Sequence, residues 1–212
     1  MSKTATKPVR KIIQGPIAQA QILDAVDELF YQEGARAVGV EAVAKRAGVN
    51  KMCLYRQFKS KDELLRRFLE RRCNVFWENF EAGLARESGN PRQQLLNFFR
   101  DVTERIQQPS FRGCAFVNIS TEITDRTHSA RQFVAENRLK LLAQFQKLAE
   151  EAGAADAQAL AHGLGLLLDG AYTASQTYPA GHPILASLQH AATALIDAAL
   201  PKNAAHQAAT AI

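Results

Sequence analysis

The sequence predicts an all-α protein, with a three-helix N-terminal domain followed by a larger helical domain. Three observations predict it. Apolar residues recur at three- and four-residue spacing along most of the chain, no stretch alternates as a strand would, and glycines, prolines and capping residues divide the chain into helix-length segments. With 212 residues, 47% of them hydrophobic, the chain can bury a substantial core.

Residues 1–16 carry Lys3, Lys7, Arg10 and Lys11, two prolines and no acidic residue. They read as a flexible basic arm, which either lies along phosphates or in a minor groove or is a plain tail. Residues 17–33 then place Ile22, Val26, Leu29 and Phe30 on one stripe, which is the pattern of a scaffold helix ending at Gly34.

The next segment is the most informative. Val43, Ala44 and Ala47 share a face of a short helix that starts at Gly39 and Val40, and Gly48 can take the positive φ that closes it. Val49 turns inward, and Asn50 is a good N-cap for a second helix over 51–58, with Leu54 and Phe58 inward at i and i+4. Ala44, four residues before the glycine, is small enough for two helices to cross closely. The result is a helix-turn-helix. Its second helix leaves Lys51, Met52, Tyr55, Arg56 and Gln57 outward, a set suited to a DNA major groove. Arg56 has the fork that binds guanine through two hydrogen bonds, and Asn50 and Lys61 flank this face.

Ser60 caps a long helix running to about Ala85, with Asp62 and Glu63 in its first turn. Leu64, Leu65, Phe68 and Leu69 are expected to serve the first domain, and Val75, Phe76, Trp77 and Phe80 a different core. Helices follow over 92–107, with Leu95, Phe98, Phe99, Val102 and Ile106 inward, and over 114–123, short and apolar. Another covers 129–152, with Phe133, Leu141, Phe145 and Leu148, stopped by Gly153. The last two cover 156–177 and 183–200. Leu160, Leu164, Leu167 and Ala171 line one face of the first while Leu168, Tyr172 and Ser175 flank it, and Ile184, Leu188, Ala191, Leu195 and Ala199 line the second. Apolar or small residues cover more than one stripe, so burial on two sides is expected, hence a homodimer through residues 156–200.

Residues 22–61 resemble the N-terminal domain of the TetR family of bacterial transcriptional regulators. The resemblance rests on Val49, Asn50, Lys51, Leu54, Tyr55 and Phe58, in the family's recognition-helix string, and on Ser60, Lys61, Asp62 and Leu64 at the start of the next helix. One departure is that Val38 and Gly39 stand where the family usually has a Thr or Ser cap, so a hydroxyl that often touches a phosphate is missing. The resemblance implies a DNA-binding regulator, most often a repressor, that acts as a homodimer on a pseudo-palindromic operator and is released by a small-molecule effector. Activation or regulation without a ligand is the alternative within the family. The implied boundaries are 17–65 for the DNA-binding domain, 66–201 for the effector-binding and dimerisation domain, and 202–212 for a tail.

Charge agrees with this division. Residues 1–72 carry 15 Lys and Arg against 8 Asp and Glu, which leaves the remainder slightly acidic. The three cysteines, Cys53, Cys73 and Cys114, have no metal-ligand spacing, and a reducing cytoplasm is expected. No metal site, cofactor or membrane span is predicted. The five histidines form no metalloprotease pattern, no nucleophile or phosphate-loop motif occurs, and no catalytic residue is expected, a small-molecule-binding helical enzyme being the remote alternative. Trp77, Phe80, Phe98, Cys114, Phe116, Phe133, Tyr172 and Gln176 are candidates to line a mostly apolar effector pocket. Cys114, close to Arg112, is either a thiolate sensor or an inert buried thiol.

Overall fold

The structure, a computed structural model, describes residues 15–201. Among the described residues there are nine helices and no strand. They are α1 (Gly15–Glu33), α2 (Val40–Arg46), α3 (Lys51–Gln57), α4 (Lys61–Ala85), α5 (Pro91–Ile106), α6 (Ala115–Glu122), α7 (Ser129–Glu151), α8 (Ala157–Thr177) and α9 (Pro183–Ala199). The expected basic arm, apart from Gly15 and Pro16 in α1, and the tail after residue 201 lie outside the described residues.

Local chemistry accounts for the helix ends. Side-chain oxygens of Asn50, Asn90 and Asp156 accept the backbone N–H three residues on, at 2.8, 3.1 and 2.8 Å. Ser60 accepts from the Glu63 N–H at 3.1 Å while the Glu63 carboxylate accepts from the Lys59 N–H at 2.8 Å, so two donors at the start of α4 are satisfied at once. His128 and His182 cap α7 and α9 through Nδ1. Two of the five histidines are therefore structural.

The chain divides into two compact units between Phe68 and Leu69, inside α4. In the first, α1 packs on α2 and α3, which pack on each other. Ile22, Val26, Phe30, Val43, Leu54, Phe58, Leu64 and Phe68 are fully buried there, and Phe30 meets Phe68 edge to face at 5.8 Å. In the second, α7 and α9 flank α8, α5 packs on α7 and α9, and α6 lies on α7. Its core is built from Phe80, Leu95, Phe99, Val102, Phe145, Leu164, Leu168 and Ile196, among others.

Three sequence expectations need correction. Val75 is exposed, because it falls a residue short of the stripe that carries Phe76 and Phe80 inward. On α8 the buried stripe is Leu160, Leu164, Leu168 and Tyr172, with Leu167 only half-buried; on α9 it is Leu185, Leu188, Ala192 and Ile196. Leu164 thus belongs to the chain's own core, while Leu166, Ile184 and Leu195 are the large apolar residues left outside.

The turn between α2 and α3 determines how the first unit is built. Gly48 has φ +69°, its N–H donates to the Lys45 carbonyl and the Val49 N–H to the Ala44 carbonyl, the paired bonds of a Schellman ending. A Cβ at Gly48 would meet nothing within 4 Å, so only the backbone conformation resists a side chain there. Gly48→Ala should lower the unfolding free energy by about 1–2 kcal/mol, read from a urea titration, with the helical content unchanged.

Candidate functional site

The exposed face of α3 is produced by what α3 buries. Leu54 and Phe58 point into the unit, at 0% and 1% exposure, so residues on the other side of the helix must face solvent. Met52 is 78% exposed and Tyr55 44%, although both are large and apolar in body. Lys51 and Arg56 are exposed beside them. Among the described residues no hydrogen bond or ion pair engages the Arg56 side chain, which leaves its five N–H donors for a partner from outside.

The other expected site residues surround this face. Asn50 is the N-cap of α3, and its side chain is committed to the Cys53 N–H. Gly39 is the N-cap of α2 in extended conformation, with no side-chain bond to offer, and Val40 begins the helix. Gln57, expected outward, is half-buried; its amide lies 3.5 Å from where a Cβ on Gly15 would sit, beside the start of α1. Lys61, the first residue of α4, is half-buried and donates to the Arg36 carbonyl at 3.1 Å, which uses one of its three N–H groups.

One residue of this surface was not found from the sequence. Glu41, in the first turn of α2, accepts from the Lys51 ammonium at 2.8 Å. An acidic residue in a first turn reads as an ordinary dipole complement, and a contact ten residues away across a turn leaves no periodic trace. Each charge sustains the other: the hydrogen bond to Lys51 holds the Glu41 carboxyl below the usual carboxylate range, and the bond to Glu41 holds Lys51 above the usual lysine range. Arg46 makes a similar bridge to Glu28, joining α2 to α1 at 2.5 Å.

The expected effector residues fall into separate groups. Trp77, Phe80 and Phe98 form one aromatic cluster with Phe76, with ring centroids 5.3 to 6.4 Å apart. Phe116 and Phe133 are paired at 6.4 Å. Cys114 and Tyr172 come together around a residue the sequence did not single out, Arg138 of α7. Its guanidinium lies 2.5 Å from Asp169, 3.8 Å from the Cys114 sulfur and 5.6 Å from the centre of the Tyr172 ring. Burial above all, then the neighbouring Cys114, pushes the Tyr172 phenol well above its ordinary value, against the opposing charges of Arg105 and Arg138. A guanidinium does stand at Cys114, and it is supplied by Arg138 from across the unit. Gln176 packs over Gly113, which has φ +86° and where a Cβ would come within 3.0 Å of it, so a side chain there would be strained and would press on Gln176.

A second polar group sits on the same helix. Asn137 accepts from the Cys73 thiol at 2.8 Å and from the Trp77 indole at 3.4 Å, and Lys140 lies 4.2 Å over the Trp77 ring. Burial raises the Cys73 thiol above its usual range, which suits its part as donor. No helix among the described residues is long and apolar enough to cross a membrane.

Comparison with known proteins finds relatives among helix-turn-helix transcriptional regulators. The family model for bacterial regulatory proteins of the tetR family matches residues 22–68. The HTH-type transcriptional activator FasR of Mycolicibacterium smegmatis is 36% identical over 93 residues, which is 42% of this chain and 42% of FasR. The HTH-type transcriptional regulator TtgR of Pseudomonas putida is 26% identical over 121 residues, 53% of this chain and 58% of TtgR. The chain thus spans about half the length of the curated relatives it matches. Solved structures extend the likeness: a TetR-family transcriptional regulator from Streptomyces coelicolor has TM-score 0.83 at 26% identity, covering 88% of this chain and 97% of its own. A TetR-type regulator from Streptomyces avermitilis has TM-score 0.74 at 31% identity, covering 86% and 97%.

Proposed function

We propose, from the premise that this chain belongs to the TetR family of bacterial regulatory proteins, that it is a repressor acting as a homodimer on a pseudo-palindromic operator and released by a small molecule. Binding of DNA by α2 and α3 carries the reading. The observation behind it is the exposed set Lys51, Met52, Tyr55 and Arg56 on a helix whose opposite side is fully buried. Arg56 and Lys51 read base edges, Met52 adds apolar contact, and Tyr55 and Lys61 hold phosphates; Asn50, Gly39 and Val40 set the helix starts that aim them. Gln57 supports the reading helix from its inner edge.

The second unit supplies control and assembly. The effector lies against residues drawn from Tyr172, Cys114 and Gln176, from the Trp77, Phe80 and Phe98 cluster and from the Phe116–Phe133 pair, in an apolar site with few polar contacts. Occupancy biases the spacing of the two reading heads through α4, which begins in one unit and ends in the other. Leu166, Ile184 and Leu195, exposed on α8 and α9, support dimerisation through residues 156–200. Activation is the competing reading, and the stretch shared with FasR favours it. Transcription in vitro from a promoter overlapping the bound site separates them, since added protein lowers transcript for a repressor and raises it for an activator.

Two substitutions test the assignment. Arg56→Ala should cost about 1–3 kcal/mol per half-site on a duplex selected from a random pool by the unaltered protein, and much less on its scrambled counterpart. Equal losses on both would make Arg56 a phosphate clamp. Leu195→Arg places an unpaired charge in the assigned dimer contact and should give a folded monomer by sedimentation. An intact dimer would remove α9 from the interface.

A further inference from the structure

The Glu41–Lys51 pair is an unusual feature for a surface that has to approach a polyanion. Lys51 opens α3, where the positive end of the helix dipole disfavours a cation, so its placement is not explained by helix chemistry. The pair is exposed, with the Lys51 side chain 52% and the Glu41 side chain 77% accessible, and exposed pairs contribute little to folding. A carboxylate here also repels phosphates. Neither stability nor raw DNA affinity therefore accounts for it.

Resting on the reading of α3 as the DNA-reading helix, we propose that Glu41 is a positioning residue that makes Lys51 a reader of bases instead of a clamp on any phosphate. The ammonium has three N–H groups. With one given to Glu41 at 2.8 Å, Lys51 can present another to a base acceptor in the groove and keep the carboxylate neutralised. Random DNA offers phosphates instead. A phosphate taken by Lys51 competes with Glu41 for the ammonium's charge and is repelled by the carboxylate beside it, whereas a base acceptor is neutral, so the pair penalises sites that supply no base acceptor. Lys45 and Lys59, exposed in the same unit, provide the general attraction without such a brake. Glu41 thereby lowers affinity for the wrong sequence, which is how discrimination is gained at little loss on the right one.

The test compares the full-length protein with Glu41→Gln, Lys51→Ala and the double variant. Each is titrated by fluorescence anisotropy against the duplex selected from a random pool and against its scrambled counterpart, at several salt concentrations. Glu41→Gln should bind the scrambled duplex several-fold more tightly and steepen its log–log salt dependence by about 1 per reading head, as one more phosphate is neutralised. Affinity for the selected duplex should change little, so the ratio of the two falls. With Lys51→Ala in place, Glu41→Gln should leave the salt slope unaltered. A Glu41→Gln protein that gains equally on both duplexes, or whose slope is unchanged, overturns the proposal while leaving α3 as the reading helix. So does an effect that persists without Lys51. An unaltered protein that enriches no duplex from the pool overturns both. Unchanged thermal unfolding midpoints in all four proteins are expected, since both side chains are exposed.

Discussion

The first unit depends on one short turn. Between Ala47 and Asn50 the chain ends one helix, turns and starts another, and several of the backbone groups released in doing so find partners. Gly48 adopts a conformation that a side chain would resist, the Ala44 and Lys45 carbonyls are taken up by Val49 and Gly48, and Asn50 receives the Cys53 N–H. The direction of α3 follows from these bonds together with the burial of Leu54 and Phe58. Once that direction is set, the choice of which side chains reach outward is no longer free. Function at this surface is a by-product of how tightly the opposite side is held.

The second unit handles polar groups differently. Asn137 and Arg138 bring an amide and a guanidinium to the packed side of α7, and both are provided for: Asn137 by Cys73 and Trp77, Arg138 by Asp169, the Tyr172 ring and the Cys114 sulfur. A partly buried polar group without partners would be costly, so such clusters are specific about what surrounds them. A molecule that replaces one partner must offer equivalent chemistry. Under the proposed reading, this lets the second unit discriminate between effectors that are otherwise alike in apolar surface.

The helices were legible because their signals are local. Ser60, Asn50, Asn90 and Asp156 each precede the segment they cap, Gly48 and Gly153 each follow a helix, and the observed ends fall within a residue or two of those expected. The exposed face of α3 was legible for the same reason, Gln57 excepted, since Leu54 and Phe58 determine by spacing what lies opposite. Contacts between elements were not. Nothing in the order of residues brings Glu41 to Lys51, Lys61 to the Arg36 carbonyl, Gln57 to Gly15 or Arg138 to Cys114, because each depends on how helices are set against one another. On α8 and α9 the apolar residues go round more than one side, and periodicity alone could not decide that Leu164 belongs inside the chain and Leu195 outside.

Hydrogen exchange on the full-length protein, with and without the duplex it selects from a random pool, tests the central claim most directly. If α2 and α3 are the DNA-reading element, amides from Val40 to Lys61 gain protection when that duplex is added and gain less with a scrambled one. Protection confined to α5 through α9, with α3 unchanged, would contradict it.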